Sequence, residues 1–177
     1  MFSFPLLPGA SRALRAGDLP ALLAIQQACY GAAYIESAQV YARRLASPVN
    51  CSRVWERDGQ VCAYLAAYRS LLGKVTPLHG DFGVPHGAAD TLYVHDMAVL
   101  PSCAGQGIAR ALLESVWEEG RAAGLRHSAL VSVQDSRAYW ERCGYDARAP
   151  SGQADLARLA SYGDGAIYMV RELDLAG

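Results

Sequence analysis

The sequence predicts a mixed α/β domain of the α+β kind, in which a mostly antiparallel central sheet of six to seven strands is flanked by about four helices. Three observations point there. Segments with helical apolar spacing interleave with segments of strand character, so both element types share one chain. Hairpins toward both ends favour antiparallel neighbours. With 177 residues, 52% of them hydrophobic, the chain suits a single domain over 1–177. A chain of this size buries roughly 70% of its unfolded surface and needs no disulfide or metal staple.

The elements follow in order. Ser11–Arg15 reads as a first strand, and Gly17-Asp18 offers an N-cap to a helix with Leu19, Leu22, Leu23 and Ile25 on its apolar face. Ser37–Leu45 reads as a second helix, with Val40, Tyr41 and Leu45 at helical spacing. Strands Ser52–Glu56 and Val61–Tyr68 flank Arg57-Asp58-Gly59-Gln60, whose Asp-Gly is a hairpin signal. Residues 71–90 hold four glycines and two prolines without periodicity, which suggests a lid or an acceptor-site wall. Leu92–Leu100 is the next strand. A helix from Gly107 to about Gly120 presents Ile108, Ala111, Leu112 and Val116, and Leu125–Val133 is a buried strand. Ser136 caps a helix that Cys143-Gly144 stops, and Tyr145 opens a further strand. A helical turn over Ala154–Leu159 interrupts the Gly-rich stretch 150–165, and Ala166–Leu173 closes the sheet.

Composition excludes several functions. Sixteen basic and 17 acidic residues give a net charge of −1, with no basic block for nucleic acid or for an anionic membrane surface. The N-terminal MFSFPLLPGASR lacks the basic region of a signal peptide, and no apolar run reaches the roughly 18 residues of a membrane span. Five cysteines, an odd number without a CxxC pair, suit reduced thiols in a cytoplasmic protein. His79, His86 and His127 show no metal spacing, so no metal is expected. Cys103 and Cys143 have no base paired with them in sequence and read as packing residues.

Residues 91–110, TLYVHDMAVLPSCAGQGIAR, carry the functional signal. A strand runs through a proline into Ala104-Gly105-Gln106-Gly107-Ile108-Ala109 and then into a helix. Unpaired N–H groups at a helix N-terminus, together with the helix dipole, bind phosphate. A dinucleotide-binding site is a poor match, because Arg110 stands where a third glycine belongs and Asp135 lies too far downstream. A P-loop lacks its Gly-Lys-Ser/Thr. Ala98-Val99-Leu100-Pro101, Gly107-x-Ala109 and the downstream SRAYWERCGY together resemble the GNAT superfamily of acetyl-CoA-dependent N-acetyltransferases, most specifically over 91–145.

That resemblance implies a GNAT fold with a splayed central parallel strand pair, acetyl-CoA as cosubstrate, and cofactor contacts from Met97, Ala98, Val99, Ala104, Gly105, Gln106, Gly107, Ile108, Ala109, Arg110 and Trp140. Ala104 stands where the family has Arg or Gln, and Arg110 is the candidate to compensate. Main-chain N–H groups near Met97 and Ala98 would serve the thioester carbonyl. An amine of pKa about 10.4 needs a base, and His95 is the first candidate. Around it the stretch is similar to serotonin/arylalkylamine N-acetyltransferases, which carry a histidine there. The alternative for His95 is a packed, hydrogen-bonded histidine. Alternation places Tyr93, His95, Met97 and Val99 on one face, so Asp96, a candidate to orient or replace His95, should face away. Trp140 occupies the family's usual general-acid tyrosine position. Either Tyr139 acts as acid through a shifted helix, or the thiolate leaves unassisted and Trp140 packs against cofactor or acceptor. The expected acceptor is a small-molecule amine, faintly aromatic given Tyr30, Tyr34, Trp55, Tyr64, Tyr68 and Tyr162, and a homodimer is compatible with the family. Protein acetylation and non-catalytic acyl-CoA sensing remain open alternatives.

Overall fold

The computed structural model describes residues 9–173, so most of the N-terminal MFSFPLLPGASR lies outside the described residues. Seven strands form one sheet: β1 (Ala10–Ala13), β2 (Arg53–Arg57), β3 (Gln60–Ser70), β4 (Thr91–Val99), β5 (His127–Ser132), β6 (Asp146–Ala147) and β7 (Ile167–Glu172). Their spatial order is β1-β2-β3-β4-β5-β7-β6. Every pairing is antiparallel except β4 with β5. Five α-helices flank the sheet: α1 (Leu19–Cys29), α2 (Ala38–Ala46), α3 (Ile108–Ala122), α4 (Arg137–Arg142) and α5 (Gln153–Ala160). The fifth is the expected single turn after residue 150, grown to two turns.

Local chemistry accounts for most boundaries. The β2–β3 turn is the two-residue Asp58-Gly59, with φ of 52° and 76°, the left-handed pair of a type I′ hairpin. Ser37 accepts Val40 N–H at 3.3 Å and so caps α2. Ser136 occupies the N-cap position of α4 without capping it, because its Oγ is used by Trp140 Nε1 at 3.2 Å and Ser132 Oγ at 3.0 Å. The strand after Tyr145 is only two residues long and sits on the sheet edge.

The sheet divides the core in two. On one face α3 buries Ile108, Leu112, Leu113, Val116 and Trp117 against Leu65, Ala67, Leu92 and Val94. Fully burying each large side chain there contributes about 1.5–3 kcal/mol. On the other face, Leu22 and Ile25 of α1 and Tyr41 of α2 pack with Tyr64, Tyr68, Tyr93 and Tyr168. The 71–90 segment has no regular structure but buries Val75 and Phe82 in this second core, so it is a wall and not a detached lid.

Two irregularities of β4 shape the molecule. Its parallel pairing with β5 runs from Thr91↔His127 to Val94↔Leu130 and stops, while β4 continues to Val99 and β5 to Ser132. The central pair therefore splays toward its C-terminal ends. On the other edge, Ala66 pairs with Asp96 and Ala67 with Val94, so His95 is the extra residue of a β-bulge. Before the bulge Leu92 and Val94 face α3; after it Met97 and Val99 do, and Ala98 joins Tyr93 on the opposite face.

Candidate active site

The bulge corrects the alternation read from sequence. One extra residue shifts the phase by half a period, and Asp96 emerges on the same face as His95 and Tyr93 instead of facing away. Both candidate residues thus enter the α1–α2 side of the sheet, beside the part of β4 that has left β5.

His95 is held by a charged cluster. Its Nε2 lies 3.0 Å from Glu36 Oε2, and its side chain is 2% exposed. Arg44 forks onto both Glu36 oxygens at 2.6 Å each, with both side chains nearly inaccessible. Gln26 fixes the main chain of Glu36 from both sides, donating to its C=O and accepting its N–H at 3.1 Å. Burial alone pushes the Glu36 pKa up; the hydrogen bonds from His95 and Arg44 outweigh it and hold the carboxyl well below the usual carboxylate range. An ionised Glu36 can only accept, so Nε2 carries a proton whatever the charge of the ring, and the uncharged ring presents its lone pair at Nδ1. Nδ1 is buried without a hydrogen-bond partner among the described residues. The ring lies against Phe82 at 5.8 Å and Tyr93 at 6.4 Å.

The same cluster anchors the 71–90 wall. Glu36 Oε1 accepts His79 N–H at 2.6 Å, Arg44 Nε donates to Gly80 C=O at 2.9 Å, and Ser47 Oγ donates to Phe82 C=O at 2.8 Å.

Asp96 is surrounded by phenols. Tyr30 donates to Oδ1 at 2.6 Å, Tyr41 to Oδ2 at 2.7 Å, and Tyr64 also bonds Oδ2. Burial first, and the Asp96 charge second, raise all three phenol pKa values, which keeps them protonated donors. A carboxylate offers about four acceptor positions, so roughly one remains open. Asp96 is only part-buried and forms no ion pair among the described residues. Tyr30 also lies 2.7 Å from Met97 C=O, linking Asp96 to the splayed strand.

On the cofactor side a 3-10 turn at Pro101–Cys103 leads to Gly105 and Gly107, at φ of 74° and 83°. Only glycine adopts such angles at little cost, and they turn the chain into α3. The first helical bond runs from Ala111 N–H to Gly107 C=O at 3.0 Å, and no side chain caps the end. Ala104 to Gly107 are exposed. Arg110 turns back to Glu114 at 2.6 Å and to the Trp117 ring at 5.2 Å. The cation touching the loop is Arg57, which donates to Gln106 Oε1 at 3.0 Å and to Cys103 Sγ at 3.2 Å. Trp140 is tied to Ser136 and stacks edgewise on Tyr139 and Tyr145. Burial and Cys143 push the Tyr139 phenol up to about 12. Proton transfer to a thiolate of pKa near 8.5 is then uphill by about 3.5 units.

A splayed parallel pair beside a glycine-turned helix N-terminus suits an extended acyl carrier with a pyrophosphate. The sequence profile of the Acetyltransferase (GNAT) family matches residues 19–145. The chain belongs to the GNAT acetyltransferase family. It is an acyltransferase by that membership, with the GNAT fold. Among solved structures, the GNAT chain is similar to the ribosomal-protein-S18-alanine N-acetyltransferase of Escherichia coli, at 20% identity over 96% of each chain with a TM-score of 0.68. It is similar to the GNAT-like decarboxylase GphF bound to isobutyryl-CoA, at 19% identity over 93% of this chain and 99% of that one, TM-score 0.75. It also resembles the N-acetylglutamate synthase of Neisseria gonorrhoeae bound to coenzyme A and N-acetyl-glutamate, at 17% identity over 93% of this chain and 35% of that one, TM-score 0.68. No curated protein matches the sequence significantly. Among the described residues no helix is long and apolar enough to cross a membrane.

Several site residues escaped the sequence reading. Arg44 left a signal: it lies on the stripe of Val40 and Tyr41, where a charge requires a partner. Tyr41 showed only as a core residue of that stripe, and Glu36 and Phe82 left no signal, since what assembles them is the packing of α2 and the wall onto β4. Arg57 was visible only as a hairpin residue.

Proposed function

We propose that this GNAT protein moves the acetyl group of acetyl-CoA to the primary amine of a small molecule by direct attack in a ternary complex. The observation that carries this reading is Asp96: a part-buried carboxylate without a cationic partner among the described residues, with an open acceptor position, beside the splayed strand. Such a group attracts an ammonium and would orient the acceptor amine toward the cofactor side. His95 Nδ1, fixed as an acceptor by Glu36, takes the proton that the amine must shed, directly or through water. The main-chain N–H of Met97, on the strand edge away from β3, stabilises the negative charge that develops on the thioester carbonyl, while Ala98 faces its partner Tyr64 in the β3 ladder. The Gly105–Arg110 segment binds the pyrophosphate through its N–H groups, with Arg57 supplying the charge that Ala104 lacks. Trp140 serves packing, and the thiolate departs without a phenol acid, in keeping with the raised Tyr139 pKa.

The phenols around Asp96 favour a hydrophobic or aromatic amine. The test is acetyl-CoA-dependent thiol release with arylalkylamines, polyamines, aminoglycosides, amino acids and short peptides. Turnover of a small amine, lost in Asp96→Asn, is the expected result. Turnover of peptides alone would replace this reading with protein acetylation. A flat panel with acetyl-CoA bound would replace it with a sensor.

A further inference from the structure

A cavity of about 610 Å³ lies behind the aromatic layer that holds His95. Its walls are the 71–90 segment, the end of β3 and Arg158 of α5, all away from the splay between β4 and β5. Tyr68 lines the cavity and stacks on Phe82 at 4.4 Å and on Tyr93 at 5.4 Å. Phe82 and Tyr93 are the two rings that contact His95. A molecule in the cavity is therefore separated from His95 by this ring layer. The volume falls within the roughly 300–1,000 Å³ of small-molecule sites.

The lining has a definite chemistry. Leu71, Pro77, Val84 and Pro85 supply an apolar body, and Lys74 and Arg158 supply charge. Both cations lean on the buried Asp155, Lys74 at 3.6 Å and Arg158 at 2.9 Å, and that carboxylate also accepts Val75 N–H at 3.0 Å. Two cations share one carboxylate, so one positive charge is left over. The lining's own acid, Asp81, is paired with Arg43 at 2.8 Å. On the floor Ser70, Tyr68 and Thr76 share two hydrogen bonds among three hydroxyls, which leaves one O–H proton to donate.

We propose that this cavity binds a small organic carboxylate with an apolar body, at a second site distinct from the acyl-transfer centre. Lys74 and Arg158 would hold the carboxylate, the hydroxyl floor would donate one further bond, and the prolines and Val84 would cover the apolar part. Mechanistically the site is independent of the proposed acetyl transfer.

The test is calorimetric titration of the full chain with hexanoate, 1-hexanol and hexylamine, each in saturating coenzyme A so that the cofactor site is filled. Hexanoate should bind, with 1-hexanol at least about tenfold weaker, the lower end of what a charge-assisted hydrogen bond provides. Lys74→Gln and Arg158→Gln should each weaken hexanoate about tenfold. Val84 is 58% exposed, so Val84→Trp keeps the core intact and should block the cavity. Absence of hexanoate binding would overturn the proposal. So would equal binding of 1-hexanol, or binding that survives both charge variants and Val84→Trp.

Discussion

Arg44→Met is the substitution most revealing of how this site is built. It removes a guanidinium that forks onto Glu36, while Glu36 stays 2% exposed behind α2. Breaking a buried pair by deleting one partner costs about 3–5 kcal/mol, because the surviving charge is uncompensated. In a domain of this length each kcal/mol lowers Tm by about 2–4 °C, so the fall should be about 6–20 °C. The pH dependence has a sign. In the wild type the Glu36 pKa lies below its unfolded value of about 4.3. Its stabilisation is fully present above that value and is lost as pH falls through the folded pKa. In Arg44→Met the burial that pushes this pKa up is opposed by His95 alone, without the Arg44 bonds, and the folded variant takes up a proton more readily than the folded wild type does. The variant's deficit should therefore be largest near pH 8 and shrink toward pH 5. Urea unfolding of both proteins at the two pH values measures it. Glu36→Gln combined with Arg44→Met should recover much of the loss, because a neutral pair replaces the orphaned charge. A deficit below about 1 kcal/mol, or one that grows on acidification, would refute the reasoning.

Other substitutions separate the remaining parts. His95→Gln should lower kcat by about 10²–10⁴, as expected for loss of a general base; unchanged steady-state rates would leave His95 a packing residue. Gly107→Val imposes a β-branched side chain on φ of 83°, costing about 1–2 kcal/mol, and should raise KM for acetyl-CoA roughly 5- to 30-fold with little change in kcat. Leu112→Ala, at a fully buried α3 position, should cost about 2–5 kcal/mol in chemical denaturation while the cofactor KM stays near wild type.

Local signals in the sequence located most of the fold. Asp58-Gly59 positioned the first hairpin, Ser37 the start of α2, and Gly144 the end of α4, because each acts through its own backbone angles or a bond to near neighbours. The strand-loop-helix run from Thr91 to Arg110 was legible for the same reason. What local pattern could not give was the phase of β4. The bulge at His95 arises where β4 meets β3, so period-two reasoning put Asp96 on the wrong face and Met97 and Val99 on the wrong side with it. The Glu36–Arg44–His95 cluster was hidden too, since its members lie 8 to 59 residues apart in the chain and meet only after α2 packs on the sheet.

The extra residue in β4 also bears on grafting and alignment. A strand of ordinary register, transplanted onto this scaffold or matched to it position for position, would be correct up to Val94 and inverted beyond it. Met97 and Val99 would then be driven into the tyrosine-lined face, while Asp96 would be pressed against the apolar side chains of α3. A chimaera that replaces β4 therefore keeps both faces in phase only if the incoming segment carries an extra residue at the position of His95.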